Sequence, residues 1–175
     1  SKADLEKEFD AVVFAGGSTK PRDLPAEGRD LDGVEYAMDF LPQQNKRNAG
    51  DDLSQVDGLE EILATDKNVI VIGGGDTGSD CVGTSIRHGC KSINNFELFP
   101  MPPIGRPENQ PWPFWPMKLR NSTSHEEGCD REFAIMTKRF IGKDGKLTGI
   151  ETVNIEVDGR DLKEIEGTEK TWPCE

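Results

Sequence analysis

The chain has 175 residues and sets 21 Lys and Arg against 33 Asp and Glu, a net charge of −12. That length suits one ordinary domain with at most a fragment of another, and 34% hydrophobic residues supply one core, which excludes wholesale disorder. The acidity argues against nucleic acid, no apolar run approaches the roughly 20 residues that span a bilayer, and the charged start has no signal-peptide core, so a soluble, cytoplasmic protein is expected.

After a charged lead, Phe9-Asp10-Ala11-Val12-Val13-Phe14 reads as a buried strand stopped by the turn Ala15-Gly16-Gly17-Ser18. Residues 18–33 read as an irregular crossing with Pro21, Pro25, Gly28 and Gly33. Val34, Ala37, Met38 and Leu41 recur at helical spacing and predict a short amphipathic helix that Pro42 kinks or ends. Residues 48–57 are polar and predict a loop.

Val69-Ile70-Val71-Ile72 is a continuous β-branched run that empties into Gly73-Gly74-Gly75-Asp76-Thr77-Gly78, as a buried parallel strand would. Cys81, Val82, Ser85 and Ile86 follow at helical spacing, and Gly89 closes the helix near His88, which should cap it. A second strand from about Ser92 to Leu98 completes a βαβ unit. Seven of the eleven prolines lie between Pro100 and Pro116, interleaved with Trp112, Phe114 and Trp115, which predicts a rigid aromatic loop. Beyond it the period becomes two. Phe133, Ile135 and Thr137 open one strand, Val153, Ile155 and Val157 mark another, and Asp144-Gly145 and Asp158-Gly159 mark hairpin turns. The fold class is therefore α/β, a Rossmann-like βαβ dinucleotide-binding unit joined to an antiparallel β-meander, without internal repeats.

Gly73-x-Gly75-x-x-Gly78 is a GxGxxG placed between a strand and a helix, the context dinucleotide binding requires. Gly73 makes the tight turn, Gly75 lets the backbone approach a pyrophosphate, Gly78 lets helix and strand pack closely, and the helix N-terminus offers unpaired N–H groups to the phosphates. Gly74, Asp76 and Thr77 complete the candidate phosphate turn. The run lacks the Gly-Lys-Ser/Thr ending of a P-loop, which argues against ATP hydrolysis. Glu97, 24 residues beyond Gly73, stands near the place where an acid accepts the ribose 2′-OH, and this leans the choice towards NADH. Arg106 or Lys91 could instead reach the 2′-phosphate of NADPH. Trp112 and Trp115 could cover a nicotinamide or flavin face or simply pack as a surface loop. His125-Glu126-Glu127 lacks the second His of HExxH, and Cys81, Cys90, Cys129 and Cys174 never form CxxC, so no metal ligands are assigned and the thiols read as free. No side chain is assigned a catalytic role.

Val69 to Cys81 followed by Thr84-Ser85-Ile86-Arg87-His88-Gly89, with Ala37-Met38-Asp39-Phe40-Leu41, Glu97-Leu98-Phe99-Pro100, Pro111-Trp112-Pro113 and Trp115-Pro116, closely resembles the small (beta) subunit of glutamate synthase or the equivalent region of fused forms. The resemblance implies a two-dinucleotide-binding-domain flavoprotein, with FAD on one domain and NAD(P)H on another inserted within it. It further implies that residues 1–40 are a stub of the FAD domain with its connecting segment and residues 41–175 the NAD(P)H-binding domain. Ala15-Gly16-Gly17 stands where that family usually has Ala-Thr-Gly, and Leu98 and Phe99 stand where some members carry two arginines. In the intact enzyme the hydride passes from NAD(P)H to FAD, and electrons pass through iron–sulfur clusters to a large (alpha) subunit that makes glutamate from glutamine and 2-oxoglutarate. The cysteines for those clusters and the FAD GxGxxG are missing here, so this chain is expected to be inactive alone. A related flavin-linked reductase and a non-catalytic nucleotide-binding module remain the rival classes.

Overall fold

The computed structural model describes residues 1–56, 59–159 and 161–175; residue 57, at the end of the expected polar loop, lies outside the described residues. Helix α1 (Lys2–Glu8) is exposed throughout. The apolar run after it forms no strand: Val13 is 88% and Phe14 69% exposed, which corrects the expected buried strand. A strand exists only where a neighbour takes its N–H and C=O groups, and among the described residues none lies beside this run.

Helix α2 (Ala37–Ala49) continues through Pro42 for two more turns and ends at Gly50, so Pro42 does not end it. Its second half is held by tertiary bonds. Buried Gln43 donates from Nε2 to the Glu60 carbonyl at 3.1 Å and accepts from the Ile62 N–H at 3.0 Å, while Arg47 pairs with Glu61 at 2.9 Å. These contacts offset the bond that Pro42 cannot make. The expected boundary between residues 40 and 41 falls inside this helix.

Strand β1 (Asn68–Ile72), helix α3 (Asp76–Arg87) and strand β2 (Ser92–Glu97) form the βαβ unit, and a short helix α4 (Thr123–Glu126) leads into β3 (Asp130–Phe133). The three strands run parallel in the order β1-β2-β3. Phe133 and Ile135 belong to different strands, because Ala134 at φ 53° turns the chain from parallel β3 into β4 (Ile135–Lys143). Asp144 and Gly145, both at positive φ, turn β4 into the antiparallel β5 (Lys146–Asp158). Strands β6 (Asp161–Glu164) and β7 (Lys170–Pro173) follow one another along the free edge of β5.

Alternation along the strands sorts the side chains into two cores. Val71 and Ile93 face α2 and α3, where they meet Phe40, Cys81 and Val82. Phe96 and Ile70 face the antiparallel sheet, where they meet Ile135, Phe140, Leu147 and Ile150, and the Phe96 ring packs 4.9 Å from Trp172. The result is three layers: helices, parallel sheet, antiparallel sheet. Each large apolar side chain buried this way contributes roughly 1.5–3 kcal/mol, so the parallel sheet, covered on both faces, is the rigid platform for its own carboxyl edge. No helix among the described residues is long and apolar enough to cross a membrane.

Candidate functional site

At the carboxyl end of β1 the ladder runs one residue further, with the Gly73 N–H bonded to the Phe96 carbonyl at 2.8 Å. Gly73 then turns at φ +115°, a conformation that L side chains rarely adopt. The turn is fastened from below by Asn95, whose Nδ2 donates to the carbonyls of Val71 (3.1 Å) and Gly73 (2.8 Å). Gly75 is the N-cap of α3, and no side chain caps that end. A Cβ on Gly75 would meet nothing within 4 Å, whereas one on Gly78 would collide with the Gly73 carbonyl and touch Val71. The helix thus lies against its strand at a distance only glycine permits, and its first N–H groups open onto free space above Gly75. Residues 73–77, which include Asp76 and Thr77, are exposed. Here the carboxyl ends of parallel strands meet an uncapped helix N-terminus, the place where open α/β sheets bind phosphates.

Glu97 ends β2 beside this turn. Its carboxyl lies over Gly74, in the space a Cβ there would need, and it is ion-paired with Arg131 of β3. The pair is largely shielded, with Glu97 18% and Arg131 13% exposed. Arg131 is fixed from its other side, since Nη1 donates to the Arg120 carbonyl (3.1 Å) and Asn121 Oδ1 (2.8 Å) and the guanidinium lies 5.0 Å from the Phe133 ring centroid. The sequence offered no sign of this residue, because the pair joins positions 34 apart across two parallel strands. His125 completes the polar group: its Nδ1 accepts from the Ser122 N–H at 3.3 Å, and Ser122 Oγ also bonds Ser79 of α3. Burial, reinforced by Arg131 and opposed by Glu97, holds the His125 imidazole below its usual range.

Each of the other expected residues has its own setting. Arg106 folds the proline-rich loop, donating to the carbonyls of Gln110 (2.8 Å) and Phe114 (2.9 Å). Lys91 precedes β2, at the opposite end of the sheet from the glycine turn. Trp112 and Trp115 are 84% and 82% exposed, although Pro116 beside them is buried. His88 is the C-cap residue of α3, but its ring bridges elements: Nδ1 accepts from the Ala64 N–H at 3.3 Å and Nε2 bonds Gln44 at 2.7 Å. All four cysteines are free, and burial pushes the Cys81 and Cys174 thiols up to about 12. Among the described residues no group of His, Cys, Asp or Glu could hold a metal ion. A groove of about 630 Å³ follows the open edge of β1, lined from both cores and by Glu175, and is separate from the space above Gly75.

The three layers and the strand–glycine–helix turn define the fold of the two-dinucleotide-binding-domain flavoprotein reductases. Mycobacterium tuberculosis FprA in complex with NADPH superposes with a TM-score of 0.59 at 16% identity over 99% of this chain and 50% of FprA. No protein-family model matches the chain. The sequence matches the small-subunit region of glutamate synthases. It is 45% identical over 97% of the chain to the glutamate synthase [NADPH] small chain of Mycobacterium tuberculosis and 39% identical over 98% to that of Bacillus subtilis. It is also 46% identical over 98% of the chain to glutamate synthase [NADH] of Schizosaccharomyces pombe. The chain spans 35% and 37% of the two small chains and 9% of the Schizosaccharomyces protein.

Proposed function

We propose that this chain is the NAD(P)H-binding part of a glutamate synthase of the small-subunit type. Bound over Gly73 to Gly78, the dinucleotide supplies a hydride to an FAD held on another domain of the same polypeptide. The electrons then pass through iron–sulfur clusters to a large subunit or region that makes glutamate from glutamine and 2-oxoglutarate, in the cytoplasm. Residues 1–36 belong with the FAD domain and its connection, and we begin the dinucleotide domain at α2 rather than at residue 41, because that helix is continuous and its Phe40 packs with Val71 and Val82.

The observation that carries the reading is the free space above Gly75 in front of the uncapped α3 N-terminus, beside a Gly78 that no larger residue could replace without moving the strand. In this reading the backbone N–H groups of the first α3 turn take the pyrophosphate, assisted by the partial positive charge of the helix end. Glu97 takes the adenosine ribose. The protein's part is binding and orientation, and none of its side chains moves a proton or attacks a bond.

Calorimetric titration of the chain with NADH and NADPH tests this. The expected result is binding that Gly75→Val abolishes or weakens at least about tenfold, because a branched side chain then fills the space the phosphates need. Unchanged affinity in that variant overturns the assignment.

A further inference from the structure

We propose that Arg131 is a specificity-determining residue of the dinucleotide site, a reading that rests on the function proposed above. Glu97 does not face that site as a lone carboxylate. It lies over Gly74 while paired with a guanidinium that two further bonds, to Arg120 and Asn121, hold in place whether or not Glu97 is there. The Arg131 Nε has no hydrogen-bond partner among the described residues. That nitrogen is itself buried, so what Arg131 brings to the site is charge: a fixed, well-shielded cation stands beside the acid that would read the ribose.

A lone Glu97 would accept the 2′-OH of NADH and repel the 2′-phosphate of NADPH, but the neighbouring charge of Arg131 offsets that repulsion. The pair makes the site tolerant of both cofactors, with the carboxylate favouring NADH. Removing one member of so shielded a pair unmasks the other.

Four variants read this out through the ratio of NADPH to NADH dissociation constants, with folding checked by circular dichroism. Arg131→Met is expected to raise the ratio at least about threefold, chiefly by weakening NADPH, while Arg131→Lys keeps the charge and stays near wild type. Glu97→Gln does more than remove repulsion. With Arg131 uncompensated, the preference should reverse, so that NADPH binds more tightly than NADH. Glu97→Gln with Arg131→Met should bring the ratio back to about one. The inference is overturned if Glu97→Gln produces no reversal, a result that does not depend on whether Arg131→Met folds. It is equally overturned if Arg131→Met weakens both cofactors by the same factor, as loss of a purely structural residue would. If the wild-type chain binds neither dinucleotide, the function proposed above falls as well, and the two failures are told apart.

Discussion

Asn95 holds Gly73 in place: one fully buried amide donates to the carbonyl of Gly73 and to that of Val71, joining the glycine turn to the second parallel strand. Asn95→Ala removes both bonds and is expected to cost about 1–3 kcal/mol in urea unfolding. Asn95→Asp replaces the donor with an acceptor facing two carbonyls and should cost more. Equal stability of Asn95→Ala and wild type would contradict this account of the turn.

The glycines of the turn should separate by role. Gly78→Ala drives a Cβ into the Gly73 carbonyl, an overpacking expected to cost about 1–3 kcal/mol. Gly75→Ser meets no neighbour and supplies a good N-cap, so stability should stay within about 0.5 kcal/mol of wild type while dinucleotide affinity drops. Thermal melts and titrations of the two variants check this, and a stable Gly78→Ala or a Gly75→Ser with full affinity would contradict it.

What the sequence made readable was local. The β-branched run into Gly73, the helical spacing from Cys81 to Ile86 and the Asp144-Gly145 hairpin each carry their signal within a few residues. The Phe9–Phe14 run has strand composition, but pairing depends on a distant neighbour that composition cannot supply. Pro42 does not end its helix because a local rule met a tertiary one: Gln43 bonds Glu60 and Ile62 and keeps the helix going. Ala134 gives no warning of its positive φ, so β3 and β4 read as one strand. In the candidate site, the glycines and Glu97 stand out in the sequence because their spacing is a motif. Arg131 was not, because only the parallel register of β2 and β3 brings it to Glu97.

Gln43 should therefore matter more than its polar character suggests. Gln43→Ala removes both bonds to residues 60–62, leaves two backbone groups unsatisfied and should cost about 1–3 kcal/mol. Hydrogen exchange should show the second half of α2, beyond Pro42, opening before the first. Uniform exchange along the helix in this variant would contradict the role given to Gln43.

His88 should make stability depend on pH. Burial, reinforced by Arg47, holds its imidazole below the ordinary value of 6.5. Because the unfolded imidazole takes up its proton first, acid favours unfolding: the contribution is complete above the unfolded value and is lost as pH falls through the folded one. Glu35, whose carboxyl is raised by burial and by Asp39, works in the opposite direction, so the difference between wild type and His88→Gln is the useful quantity. That difference should shrink between about pH 7 and pH 5, measured as melting temperature. Parallel curves would contradict it.

The central claim is that a pyridine dinucleotide sits on the glycine turn, and backbone amide chemical shifts during titration with NADH test it most directly. The account predicts that the largest shifts fall on Gly73 to Ser79 and around Glu97, with little change in the groove along β1 near Glu175. Shifts centred on that groove, or none at saturating NADH and NADPH, would contradict it.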